Sequence, residues 1–111
     1  MLMKEEFVTF EIAKNLKEKG FDEYCEYGHF LEGGQGILYT PTISQVLKWL
    51  REEKKLFVEP SLFKYGYESY VQSTIFKEDK DYTDTWRVEG FHSTYEQAIL
   101  AGIEYVIDNL I

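Results

Sequence analysis

Two histidines and one cysteine are all that this chain of 111 residues holds of the side chains that most often bind metals or activate nucleophiles. Cys25 and His29 invite a metal-site reading, and on an extended strand both would point to the same face. Four residues of strand rise still set them about 13 Å apart, whereas two ligands of one zinc must converge to about 2 Å from the ion. Only a sharp bend at Gly28 would bring them together, so the pair reads as a buried cysteine and a surface histidine. Gly33-Gly34-Gln35-Gly36 has the composition of a phosphate loop. It opens no helix and lacks the Lys-Ser/Thr ending, which makes it a hairpin turn. Glu78, Asp79, Asp81 and Asp84 could hold calcium, but counting from Asp79 the obligatory central glycine would be Asp84 and the final bidentate acid would be Gly90. A solvated loop is expected there. His92 and Ser93 are adjacent, a spacing that seldom aims one side chain at the other, and no third group orients them. A capping box of Ser93 with Glu96 explains the serine without catalysis. No cofactor, metal or catalytic residue is therefore expected.

What the chain has in surplus is rings: nine Tyr, eight Phe and two Trp. Aromatic side chains bring large contact areas, and Tyr suits a half-wet surface, so the surplus points to packing and recognition. Twenty acids against twelve bases give a net charge of −8, which repels phosphate backbones and disfavours nucleic acid as a partner. No stretch approaches the ~18 to 20 consecutive apolar residues of a membrane span, so no membrane partner is expected either. The start of the chain lacks the basic region followed by an apolar run of a secretory signal, and a lone cysteine forms no internal disulfide. Both point to the cytoplasm.

The elements that must carry the rings follow from periodicity and end signals. The length predicts a single domain, 1–111. Thr9 caps a predicted helix running to Lys19, with Ile12, Ala13 and Leu16 on one face and Gly20 just past its end. Leu16 and Phe21 then take the apolar positions of a glycine-terminated helix. Residues 24–31 and 37–40 read as a hairpin. A second helix begins at Thr40-Pro41-Thr42, either with Thr40 as cap or with Thr42 and Gln45 in a capping box, and ends near Lys54. Ile43, Val46, Leu47 and Leu50 form its stripe, with Trp49 well round from the centre. Three extended segments follow, 56–63, 67–77 and 85–91, as an antiparallel meander. Pro60 marks the first of them as an edge strand or breaks it. The last helix carries Tyr95, Ile99, Gly102, Ile103, Val106 and Leu110 on one arc, and a second seam of Leu100, Ile107 and Ile111 roughly 120° away. That seam should touch another helix or another chain. The order predicts an α+β fold, helices packed on one face of a largely antiparallel sheet.

From Thr40 onward the order helix, three strands, helix resembles that of double-stranded-RNA-binding domains in topology and length. Those domains place lysines at the start of the final helix to grip phosphates, and here Ser93-Thr94-Tyr95-Glu96-Gln97-Ala98 holds an acid and no base. The ending, Phe91 to Ala98 running into Ala101-Gly102-Ile103-Glu104-Tyr105, together with Thr9 to Gly20 and Thr42 to Leu50, resembles short uncharacterised proteins of bacterial phages and mobile elements. That likeness implies a mobile-element context and no activity.

If the helices cover Val71, Ile75, Trp86 and Val88, strand alternation leaves Tyr70, Phe76 and Phe57 on the open side of the sheet. With Trp49 and the seam of Leu100, Ile107 and Ile111, these are the candidate interface residues. The expectation is a small non-enzymatic protein-binding module that meets a protein partner, or a second copy as a homodimer, through aromatic surface contacts. An acidic inhibitor of a basic partner, as an immunity-type protein or nucleic-acid mimic, is the second reading. A small enzyme is the third.

Overall fold

The structure, a computed structural model, describes residues 6–34, 36–75 and 83–111. Phe76, the end of the segment predicted for 67–77, and the acids Glu78, Asp79 and Asp81 lie outside the described residues. The fold is α+β, with the elements in the expected order: α1 (Phe10–Glu18), β1 (Tyr27–Phe30), β2 (Ile37–Thr40), α2 (Ile43–Glu53), β3 (Leu56–Phe63), β4 (Gly66–Ser73), β5 (Thr85–His92) and α3 (Tyr95–Asn109). A short 3-10 turn, Glu32–Gly34, links β1 to β2.

The strands form two antiparallel sheets: β1–β2, and the meander β3–β4–β5. The hairpin stands apart because β2 runs through Pro41 directly into α2, and it packs on α1. α3 lies across all three strands of the meander, α2 packs on β3, and α1 packs on α3. Between them Ile12, Leu16, Val46, Leu50, Val58, Val71, Ile103 and Val106 build one continuous apolar cluster. Burial of that surface is the main drive to fold. The close approach of α3 to the sheet depends on Gly102: a Cβ there would collide with the Ser69 hydroxyl oxygen and the Val58 side chain.

Helix ends explain most of the boundaries. Thr9 Oγ1 accepts from the Ile12 amide, and at the other end Phe21 N–H donates to Leu16 O at 3.0 Å while Gly20 N–H donates to Lys17 O at 3.2 Å. These are the paired bonds of a Schellman terminus, and they turn Phe21 back onto the core. Thr42 and Gln45 form the reciprocal capping box of α2.

Four expectations are corrected. Thr94, not Ser93, caps α3, accepting from the Gln97 amide at 3.1 Å. The reason is that β5 continues to His92, which pairs with Tyr67, so the helix starts one residue later. The segment predicted for 24–31 is a strand only from Tyr27 to Phe30, since Cys25 turns into the core. Ile75 is exposed rather than covered, because β4 ends at Ser73. Tyr95, expected on the buried arc, is 43% exposed, its ring edge-on to Tyr67 beside the last pair of the β4–β5 ladder. Pro60 sits in the edge strand β3 opposite Ser69, and the ladder runs past it. Among the described residues no helix is long and apolar enough to cross a membrane.

Candidate functional site

Alternation along β4 sends Ser69 and Val71 toward the helices and Glu68, Tyr70 and Gln72 to the other face. An acid on the open face of a sheet is ordinarily solvated, yet Glu68 is only 3% exposed. Its Oε1 accepts two hydrogen bonds, from the Tyr70 hydroxyl at 3.0 Å and from Arg87 Nε at 3.0 Å. Its Oε2 is buried and has no hydrogen-bond partner among the described residues. The register shows how β5 accommodates this arrangement. Between the pairs Tyr67↔His92 and Ser69↔Val88, Glu68 alone stands opposite Glu89, Gly90 and Phe91. Gly90, at φ +114°, allows the bulge.

The consequences for Tyr70 and Arg87 are electrostatic. The hydrogen bond to Glu68 holds the Tyr70 phenol above its ordinary pKa, with burial and the Glu68 charge adding and Arg87 opposing. Arg87 is raised by its own hydrogen bond to Glu68, with the Glu68 charge contributing and burial opposing. Tyr70 stays a phenol and Arg87 stays a cation across the physiological range. Arg87 makes this bond through Nε, on a side chain that is 58% exposed.

Rings surround this group. Phe63, the last residue of β3, lies 6.4 Å from Tyr70 and 6.1 Å from Phe91 between centroids, and Tyr65 in the β3–β4 turn lies 5.9 Å from Phe91. Phe63, Tyr65 and Phe91 are all exposed, as is Phe57 further along β3, opposite Gln72.

Of the residues singled out in the sequence, Tyr70 belongs to this group, and Phe57 lies on the same face. Trp49 does not: it is 6% exposed, stacked edge-on with Phe21 at 5.2 Å, with Lys54 Nζ 5.3 Å from its ring centroid. The second seam of α3 packs largely within the chain. Ile107 is buried, Leu100 and Ile111 pack against the same cluster, and Lys19 of the α1 terminus donates from Nζ to Ile111 O. Phe63, Tyr65, Glu68, Arg87 and Phe91 were not singled out. The signal for three of them was present, since strand parity places Glu68 with Tyr70 and Arg87 with Phe91, and Gly90 marks a bulge. Pairing the two faces needed the register, which alternation does not supply.

Elsewhere Cys25 is buried, with its thiol directed at Glu23 O, and burial, with the Glu23 charge second, pushes its pKa up. His29 is exposed, its ring edge-on to Phe10. Among the described residues no three His, Cys, Asp or Glu side chains converge on a point where a metal would sit. No protein-family model, curated protein or solved structure matches the chain.

Proposed function

We propose that the chain is a protein-binding module, without a catalytic role, that meets its partner through the helix-free face of β3–β5. The observation that carries this reading is the cluster of Phe63, Tyr65 and Phe91 held in water beside an Arg–Glu–Tyr group that is already locked. Exposed rings in contact with one another regain apolar burial when a second surface covers them. Arg and Tyr are the residues that most often dominate interface energies, and fixing them before contact lowers the ordering entropy of association. The partner surface that fits is apolar at its centre, with a carbonyl or carboxylate acceptor for the exposed Arg87 guanidinium.

The test is affinity capture with the tagged protein, identification of the captured chain, and reconstitution from purified components. A double Phe63→Ser/Phe91→Ser variant, or Arg87→Ala, should weaken the reconstituted complex by roughly tenfold or more. A reconstituted complex indifferent to both variants would refute this face as the binding site.

A further inference from the structure

A second group of exposed rings lies where the N-terminal segment, the β1–β2 hairpin and the start of α2 meet. Glu6 and Phe7 run antiparallel to the start of α2: Phe7 bridges to Thr42, Ile43 N–H donates to Glu6 O at 2.9 Å, and Val8 N–H donates to Pro41 O at 3.2 Å. Gln45 works at both ends of its amide, accepting from the Thr42 amide at 2.9 Å and donating to Tyr24 O at 2.8 Å. With Cys25 turned inward, Tyr24 and Glu26 on either side of it stay exposed.

The result is a cavity of about 290 Å³ lined by Phe7, Tyr24, Glu26, Tyr27, Thr40 and Gln45. The Phe7 and Tyr27 rings stand at 83° to one another, with centroids 5.0 Å apart. Thr40 is 5% exposed, and its hydroxyl has no hydrogen-bond partner among the described residues. The Gln45 amide and the Thr42 hydroxyl already hold one another, and Glu26 is the one described lining residue that brings a full negative charge. Among the described residues no lysine or arginine lines it.

We propose that this cavity binds an alkylammonium group, the lysine side chain, plain or methylated, of a basic polypeptide. Perpendicular aromatic walls offer a negative π face and an apolar surface together, which is what a cation on a hydrocarbon stem requires. Glu26 adds a full counter-charge, and the net charge of −8 favours encounter with a basic chain while repelling carboxylate or phosphate ligands. The source is a polypeptide rather than a free amine because β1, which begins at Tyr27 on the cavity wall, pairs among the described residues with β2 alone. Its other edge pairs with no described strand, and an added strand there would carry the lysine into place. The site stands whether or not the sheet face binds a partner.

The test is a titration followed by amide NMR shifts, using extended peptides with one central lysine in plain, trimethylated and acetylated forms, and tetramethylammonium alone. The two cationic peptides should shift the amides of Phe7, Tyr24, Glu26, Tyr27 and Thr40, and the neutral acetylated peptide should bind roughly tenfold more weakly. Glu26→Gln and Tyr24→Ala should each weaken the cationic peptides by roughly fivefold or more, while Phe63→Ser/Phe91→Ser should not. Should Tyr24→Ala lose its native spectrum, Glu26→Gln, an exposed isosteric change, decides alone. Equal binding of the acetylated peptide, no shifts at the named amides at millimolar peptide, or indifference to Glu26→Gln would overturn the proposal. Tetramethylammonium binding as tightly as the peptides would overturn the polypeptide source.

Discussion

At Gly102 the backbone of α3 comes so near the sheet that even a methyl group would meet Ser69 and Val58. Gly102→Ala should therefore destabilise the protein by about 1–3 kcal/mol by overpacking, despite the better helix propensity of alanine, and Gly102→Val by more. Urea denaturation with an unchanged m-value would check it. At Tyr70 the sign of the pH effect follows from the raised phenol pKa. The folded form keeps its proton above the ordinary value of 10.0, so the Tyr70 contribution is whole below that pH and fades as pH rises through the folded value. Ultraviolet titration should show a late-ionising phenol that Tyr70→Phe removes, and that variant should lose stability less steeply on the alkaline side. Single residues of this kind were only half legible beforehand. Parity along β4 shows that Glu68 and Tyr70 share a face, but not that the acid is buried there, which depends on where the bulge falls.

Among the elements, the ends that carry their own chemistry could be read from the sequence. The Thr9 cap, the Schellman bonds after Leu16 and the Thr42–Gln45 box are local, each settled within a few residues of chain. The start of α3 was not, since Ser93…Glu96 and Thr94…Gln97 both fit a capping pattern and the choice was made by the length of β5. Thr94→Ala should cost about 1 kcal/mol and Ser93→Ala close to nothing, in paired thermal or chemical denaturation. Trp49 shows a different limit. Helical periodicity put it at the margin of its stripe, and it is buried because Phe21, delivered by the end of α1, covers it.

For the molecule as a whole, order and class followed from periodicity and turn residues, while the division into two sheets did not, since alternation within a strand says nothing about which strand lies beside it. The same holds for the second seam of α3: its apolar surplus is visible in the sequence, and the structure shows Ile107 buried in the core cluster with Leu100 and Ile111 partly buried against it. With that seam packed largely within the chain, the sheet face is the favoured route to a homodimer. Light scattering should place the protein either at the 13.2 kDa of one chain or at twice that. If it is a dimer, Phe63→Ser/Phe91→Ser should return it to the monomer.

The Lys19 to Ile111 contact joins residues 92 positions apart, whereas β4 pairs with β3 and β5, its neighbours along the chain. Neighbouring hairpins close cheap loops and α1 closes a long one, so the meander and α3 should assemble first, with α1 docking after the rate-limiting barrier. Leu16→Ala, which empties a fully buried site on α1, should then speed unfolding severalfold and leave the refolding rate nearly unchanged in stopped-flow measurements. The helix written first would be the clasp, the last part to shut and the one that sets how long the molecule stays closed.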